Sequence, residues 1–329
     1  MEKILFQIIT LLKGKLIRVN CAFKILFAFL SDFHLYWQAI YFSKYKEQQF
    51  IRDMMLIGHS LEKGMFFNNK KQGWGKEKAL NLCSLIKRYN EDNYRICPEY
   101  VSVVNILDAY KNDTMASKDL QLRKILNGVL SDNRTLLENG RAGIKEVNKP
   151  KPFDVNEIMR FFQTRNSVRD FSDEPLSDEE INKAMQFATM TPSACNRQSS
   201  KVYGIRNKQI IKEFLSLQLG GQGWCENASI LFLITGNMSY FGGVYERHQV
   251  YIDGGMYAMN FVMGLHLVGV ASCFKMFVRN PGLQRRVQKL CNIPRNETPI
   301  VCILAGHYKE KPIKDPISFR IDRNVNIVK

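Results

Sequence analysis

Residues 165–169 have the sequence Arg-Asn-Ser-Val-Arg, so two guanidinium groups and a hydroxyl lie close together in the chain. A guanidinium presents a planar fork of N–H donors that matches two oxygens of a phosphate, and a serine hydroxyl adds a further hydrogen bond. The segment therefore suits a phosphate and a polar ring attached to it. Taken alone, the pattern is weak evidence, because short runs of this composition are more often solvated loops.

A second polar segment, residues 191–198, has the sequence Thr-Pro-Ser-Ala-Cys-Asn-Arg-Gln. Pro192 and the small residues beside it predict a turn. Asn196 offers a donor and an acceptor on one amide, which suits a ring edge that presents both. We interpret Cys195 as a packing residue, although Arg197 is the kind of neighbouring cation that can activate a thiol.

The elements that must position these segments are strands that alternate with helices. Ser177 and Glu180 form a capping-box pattern, which predicts the start of a helix that runs to about Met190. Strands are predicted at residues 202–205, 230–235, 270–278 and 300–305, and further helices at 210–217, 251–267 and 281–290. This pattern predicts an α+β fold, in which helices flank a mixed sheet of four or five strands.

In this order and at this spacing, the two polar segments resemble the nitroreductase family. That family has an Arg-x-Ser-x-Arg/Lys motif, then a helix, then a Ser-Pro-Ser-x-x-Asn-x-Gln turn and a strand. Thr191 replaces the first serine of the turn, and Ser199 and Ser200 stand where the family has Pro-Trp. The resemblance continues through the Asp-Gly-Gly of residues 253–255 and the Ala-Gly-His-Tyr of residues 305–308, so it covers nearly all of residues 155–320.

The resemblance implies FMN as the cofactor, with its phosphate held by three residues. Arg165 and Ser167 would bind the phosphate, and Arg320 would supply a second contact to it. Arg169 would lie near N1 and O2 of the flavin. A fixed cation there stabilises the negative charge that the reduced ring carries.

The resemblance also implies which residues lie along the flavin ring. Asn196, with Gln198 in the same turn, would read the O2 and N3 edge. The backbone around Lys275 and Met276 would face N5. These two residues are the candidates for the catalytic position.

The function that follows from the resemblance is hydride transfer from NAD(P)H, through flavin N5, to a small-molecule acceptor of the nitro, quinone or enone type. Because the cofactor supplies the chemistry, no acid–base pair is required, and the sequence has no GxSxG, HExxH or P-loop motif. Two alternatives stay open. One is a dehalogenating or flavin-degrading branch of the same superfamily, and the other is a cofactor-less basic scaffold that binds a membrane or nucleic acid.

The composition of the chain limits the kinds of partner that it is expected to bind. The formal charge of +16 favours anionic partners, but the basic residues are scattered instead of concentrated on one element, so nucleic acid is not expected. None of the eight cysteines forms a CxxC pair or a zinc spacing, so we expect no metal site and a reducing, cytoplasmic compartment.

The family forms homodimers with FMN at the interface, and the tail after Tyr308 usually contacts the partner. The helix predicted at residues 251–267 is apolar on more than one face, so it should be buried on several sides. Either a second copy of the chain covers the remaining face, or the helices predicted at residues 49–135 do so within one chain.

The chain is predicted to have three parts: an apolar and basic segment (1–48), a helical extension with a linker (49–150) and the FMN-binding domain (151–329). Residues 1–48 are interpreted either as a basic amphipathic segment on a membrane surface, or as helices packed on the protein's own body, which is the commoner arrangement.

Two further segments allow functional and structural interpretations. His59 and Glu62 could contact the flavin pocket, but Lys63 followed by Gly64 is typical of a helix end, and the structural interpretation is favoured. Residues 236–249 are rich in glycine and aromatic residues and resemble a mobile lid that would select the acceptor.

Overall fold

The computed structural model describes residues 2–113, 119–138, 142–218, 227–278, 281–311, 314, 316–321, 325 and 327–328, with side chains from residue 17 onward. Five helices form the first part of the chain. They are α1 (Glu2–Tyr41), α2 (Lys46–Phe66), α3 (Lys76–Glu91), α4 (Pro98–Asn112) and α5 (Leu120–Asp132). The helical extension predicted for residues 49–135 is therefore helical over most of its length.

Helices α2 to α5 bury one apolar face each against a common cluster. Met54 and Leu61 of α2, Ile86 of α3 and Leu107 of α4 are fully buried in it. Two buried tyrosines, Tyr89 and Tyr100, stack at 4.9 Å, and the hydroxyl of Tyr100 donates to Asn133 at 2.8 Å. The helices of the extension are thus held by packing and not by their local propensity alone.

The second half of the chain begins after an exposed segment at residues 144–154 that has no regular structure. Its helices are α6 (Val155–Thr164), α7 (Asp178–Thr189), α8 (Lys208–Leu217), α9 (Gln249–Leu267) and α10 (Pro281–Leu290). Its strands are β1 (Ser200–Ile205), β2 (Ile230–Asn237), β3 (Ala271–Met276) and β4 (Glu297–Gly306). Each strand and helix predicted in this half occurs within a few residues of its predicted position.

The four described strands form one sheet in the order β1-β2-β4-β3, and all three pairings are antiparallel. The predicted α+β class is confirmed with four strands. The parallel pair that a mixed sheet would contain is absent among these strands. The physical reason is that β2 and β3, which α9 connects, run parallel to each other but are separated by β4, and the sequence does not reveal this insertion.

Apolar clusters lie on both faces of the sheet. One contains α8 and α10 against side chains such as Leu231 and Cys302, and the other contains α7 and α9 against side chains such as Phe232 and Ile303. Helices α7 and α9 approach so closely at Gly264 that an added Cβ would lie 2.6 Å from the Ala184 carbonyl oxygen. Gly264 therefore sets the separation of these helices.

The extension and the second half share one apolar core. Met238, Tyr240 and Phe241, which follow β2, are buried in the same cluster as α2 to α5. The interpretation of residues 236–249 as a mobile lid is therefore wrong for residues 237–241, which the extension covers. The exposed part of the segment starts after Phe241 and includes Tyr245.

The capping box predicted at Ser177 is confirmed: its hydroxyl accepts from the Glu180 backbone N–H, and the Glu180 carboxylate accepts from the Ser177 N–H at 2.8 Å. Helix α2 ends at Phe66, so Lys63 lies in its last turn as predicted, but Gly64 is not its cap. The Trp74 ring packs where a Cβ of residue 64 would stand, which accounts for the glycine.

Candidate functional site

The residues predicted to hold a phosphate line one surface hollow. It has a volume of about 460 Å³, and Arg165, Ser167 and Arg320 all contribute to its wall. Phe162, Met259 and residues 316–318 complete it. Two guanidinium groups and a hydroxyl thus converge from positions more than 150 residues apart in the sequence. This donor set suits an oxyanion such as a phosphate.

The phosphate motif is held by the end of α9. Nε2 of His266 lies 3.0 Å from the Phe161 carbonyl oxygen and 3.1 Å from Oγ1 of Thr164, and the imidazole stacks on the Phe161 ring at 5.0 Å. Helix α6 therefore ends against α9, and Arg165 follows immediately as its C-cap. Burial lowers the pKa of His266, the Phe161 carbonyl raises it, and the nearby charge of Arg165 lowers it further.

The same motif lies against the outer edge of the sheet. The Val168 N–H donates to the Ser272 carbonyl oxygen of β3 at 3.0 Å. Because backbone groups along a strand point alternately to its two edges, Phe274 and Met276 present theirs to the same outer edge as Ser272. The loop of Arg165 and the strand that carries Lys275 and Met276 are therefore neighbours.

Lys275 and Met276 differ in their side chains. Lys275 is buried with the cluster under α8 and α10, whereas the Met276 side chain is exposed. Because the Ser272 carbonyl points to the outer edge, the alternation along β3 turns the backbone groups of Lys275 towards β4. Of the two candidates, Met276 is the one whose backbone faces away from β4.

Arg169 folds back onto its own loop. Its Nη1 donates to the Ser167 carbonyl oxygen at 2.8 Å, which fixes the conformation of the phosphate motif. Arg169 does not line the hollow that Arg165 lines. The structure thus separates the two arginines of the motif, one in the hollow and one bracing the loop.

The turn predicted at residues 191–198 forms, with Cys195, Asn196 and Gln198 in left-handed backbone conformations. Buried Asp253 of α9 accepts from the Ala194 N–H at 3.1 Å, and Gln198 donates to the Asn196 carbonyl Oδ1 at 3.1 Å. A left-handed conformation is costly for residues with a side chain, so the surrounding contacts must hold it. Asn196 and Gln198 remain exposed.

Arg197 is the centre of the contacts that hold this turn. Its side chain is 1% exposed and donates to Glu246 at 2.6 Å, to the Tyr240 carbonyl oxygen at 3.0 Å and to the Ala194 carbonyl oxygen at 3.1 Å. The guanidinium also lies 4.5 Å from the centroid of the Phe241 ring. One cation thereby fastens the turn to the segment after β2.

Glu246 helps to connect this turn to helix α1. Its second oxygen accepts from the N–H groups of Gly242 and Gly243, and the hydroxyl of Tyr36 in α1 donates to the Gly243 carbonyl oxygen at 2.8 Å. Burial acts to raise the pKa of Glu246, but the hydrogen bonds and charge of Arg197 outweigh it and lower the pKa.

The predicted residues therefore fall into two groups along α9. Arg165, Ser167 and Arg320 share the hollow beside Met259, while Gln198 lines a smaller hollow of about 130 Å³ with Asp253 and Tyr257. Asn196 and Arg169 line neither of these two hollows.

The structural role of Arg197 and Glu246 could not be predicted from the sequence. Arg197 was expected only as a cation near Cys195, because an ion pair across about 50 residues has no local signal. His59 lies on α2 with a buried Nδ1 that has no hydrogen-bond partner among the described residues. Glu62 accepts from the Gly143 N–H at 3.1 Å.

Among the described residues, no group of histidine, cysteine and carboxylate side chains could hold a metal ion.

Residues 162–222, which include the phosphate motif and the turn of Asn196, match the model of the nitroreductase family. The second half of this chain is therefore similar to the nitroreductase family over this stretch. The match starts in α6 and ends after α8, so it contains both segments on which the resemblance was based.

Two curated proteins match about half of this chain. One, from Archaeoglobus fulgidus, is named an NADH dehydrogenase/NAD(P)H nitroreductase; it is 23% identical over 48% of this chain and 88% of its own length. The other, from Bacillus subtilis, is named FMN reductase [NAD(P)H]; it is 21% identical over 49% of this chain and 70% of its own length.

A solved nitroreductase with bound FMN from Desulfitobacterium hafniense is similar over 52% of this chain and 100% of its own, at 20% identity and a TM-score of 0.39. All three matches cover about half of this chain.

Proposed function

We propose that the protein is an FMN-dependent oxidoreductase that takes hydride from NAD(P)H and passes it to a small organic acceptor. The observation that carries the proposal is the convergence of Arg165, Ser167 and Arg320 on one hollow, within a domain of the nitroreductase family. Their chemistry fits the phosphate of FMN, and the names of the two curated relatives agree with an NAD(P)H-dependent flavin reaction.

Each residue has one task in this proposal. Arg165 and Arg320 neutralise the FMN phosphate while Ser167 donates to it. The Asn196 amide reads the O2 and N3 edge, and Arg169 supports the loop while its positive charge acts near N1 and O2. When bound, FMN would supply the hydride-accepting atom N5, and the Met276 backbone N–H on the outer edge of β3 would donate to it.

The acceptor is a nitro compound, a quinone or an enone-like metabolite, and residues 242–248, of which Val244, Tyr245, Arg247 and His248 are exposed, would select it. Two contacts restrict this segment, since Tyr36 of α1 donates to the Gly243 carbonyl oxygen and Arg197 donates to Glu246. A dehalogenating or flavin-degrading reaction would use the same flavin contacts and remains the second candidate.

The first test is the cofactor itself. The purified protein is expected to be yellow, and acid denaturation should release FMN, identified by chromatography, at one equivalent per chain. Anaerobic addition of NADH or NADPH should then bleach the flavin absorbance within seconds. A colourless protein that does not bind added FMN would refute the proposal. A yellow protein that neither nucleotide reduces would favour the second candidate.

We also propose that the protein is a homodimer whose flavin sites are completed by the partner chain. The reason is a row of apolar side chains along α9, Ile252, Met256 and Met259, whose spacing places them on one helix face and which are exposed. In the apolar cluster of the extension, the described residues of α9 are Val250 and Tyr251, near the start of this helix. A face of this kind is typical of obligate dimer interfaces.

The dimer makes a testable prediction. Met256→Glu is expected to shift the FMN-loaded protein from dimer to monomer in sedimentation velocity and to release FMN, because a charge is then placed in an apolar interface. Val244→Glu is the matched control, since Val244 is exposed outside this face. A wild-type monomer that keeps FMN bound would contradict the shared site and leave the extension as the only cover.

A further inference from the structure

We infer that helix α1 attaches the protein to an anionic lipid surface. The helix has 40 residues, which corresponds to about 60 Å. Among the described side chains of α1, those near its end pack on the body: Ala39 and Ile40 are buried, and Leu35 and Tyr36 pack against the core of the extension. The described part before residue 35 lies almost entirely in solvent. Packing on the body, the commoner arrangement, therefore does not hold for this part of the helix.

One face of α1 is apolar and uncovered. Its side chains are spaced by alternating steps of four and three residues, which places them on one face of a helix. They are Val19, Phe23, Leu26, Leu30, Phe33 and Trp37, each between 47% and 68% exposed. Monomeric soluble proteins rarely leave a contiguous apolar face of this length in water, so the face marks a contact surface.

The polar residues lie on the opposite side of the helix. They are Asn20, Lys24 and Ser31, of which Asn20 and Lys24 are exposed, and Ile17 and Ile25 lie on the same side. Residues 1–48 contain seven lysines and arginines against three acidic residues, within a chain of formal charge +16. A helix with an apolar face and a basic face lies in the plane of a membrane and is attracted to anionic headgroups.

The pattern favours lipid over a second α1 helix. A two-helix seam has charged, complementary residues beside its apolar positions. Here the flanking positions include Phe27 and Phe29, which are 65% and 68% exposed and widen the apolar face instead. Trp37 and Tyr41, whose rings lie 4.4 Å apart, stand where the helix joins the body. Such amphipathic rings suit the boundary between acyl chains and water.

In-plane attachment also agrees with the composition of the helices. Among the described residues, no helix is long and apolar enough to cross a bilayer. Arg18, Lys24 and Asp32 interrupt the apolar sequence of α1, and long basic side chains can reach the headgroups while their stems cover apolar surface.

The test uses the full-length protein and two kinds of vesicle, phosphatidylcholine with phosphatidylglycerol and phosphatidylcholine alone. The wild type is expected to sediment with the anionic vesicles and much less with the neutral ones, and added salt should release it. Leu26→Ser with Phe33→Ser should reduce binding at least about tenfold, since two apolar side chains that the membrane would bury are lost. Lys24→Gln should weaken binding to the anionic vesicles alone.

The matched control is Asn20→Ala with Ser31→Ala, which changes two residues of the polar face and should bind as the wild type does. Circular dichroism of each variant checks that the fold is intact, independently of any flavin. Unchanged binding by the Leu26/Phe33 variant, or equal binding to both vesicles, would overturn the proposal. So would a wild type that ignores vesicles but whose association state changes in this variant, which would make a second copy the occupant.

Discussion

Arg197→Met is expected to lower the free energy of unfolding by about 3 kcal/mol, because it leaves the Glu246 carboxylate without its buried partner. Methionine is similar in length to the aliphatic part of arginine, so little volume is lost. The variant also removes the hydrogen bonds to the Ala194 and Tyr240 carbonyl oxygens. The effect should therefore exceed that of a surface ion pair.

The measurement is urea denaturation followed by circular dichroism, with Arg206→Met as the matched control. Arg206 pairs with Asp178 at 2.7 Å, but both side chains are largely exposed, so the control should lose about 1 kcal/mol or less. Adding Glu246→Gln to Arg197→Met should restore part of the loss, since the unpaired charge is removed. An Arg197→Met protein as stable as the control would show that this pair does not hold the two segments together.

The same pair predicts how the effect depends on pH. Because the folded protein lowers the pKa of Glu246, its contribution to stability is present above the ordinary value of about 4.3 and is lost as the pH falls through the lowered folded value. The difference in stability between wild type and Arg197→Met should therefore shrink in acid. A difference that is constant from neutral pH to acid would mean that lost packing, and not the ion pair, explains the variant.

Arg165→Met and Arg320→Met are each expected to weaken FMN binding roughly 10- to 100-fold, since each removes a charge-assisted hydrogen bond of about 1.5–3 kcal/mol. The double variant should bind more weakly than either single one. The dissociation constants come from titrating the apoprotein with FMN and following the flavin fluorescence. Arg320 lies far from Arg165 in the sequence, so an equal effect of both variants would support the shared hollow.

Arg286→Met is the control for these variants, because Arg286 is exposed on α10 and lines neither hollow described above. If Arg165→Met and Arg320→Met both bind FMN as tightly as this control, the hollow is not the phosphate site. That outcome would not decide whether the protein binds FMN, because the colour of the wild-type protein tests this separately. The two hypotheses can thus fail separately.

The sequence by itself determined the elements of the second half and the two polar segments of its candidate site. Ser177 and Glu180 fix the start of α7 through contacts within one turn, and the apolar runs at 230–235 and 300–305 suffice to predict β2 and β4. The motif of Arg165 and the turn of Asn196 are also local, since each lies within a few residues. Local patterns of this kind are encoded by neighbouring residues and can be recognised without the fold.

Other features were decided only by the tertiary structure. The insertion of β4 between β2 and β3 and the convergence of Arg320 on Arg165 depend on how distant elements pack. The burial of residues 237–241 under the extension, which replaces a predicted lid, depends on apolar contacts with α2. The Arg197–Glu246 pair also depends on this packing. Burial strengthens the attraction between the two charges, and 49 positions separate them, so the sequence gives no local sign of the pair.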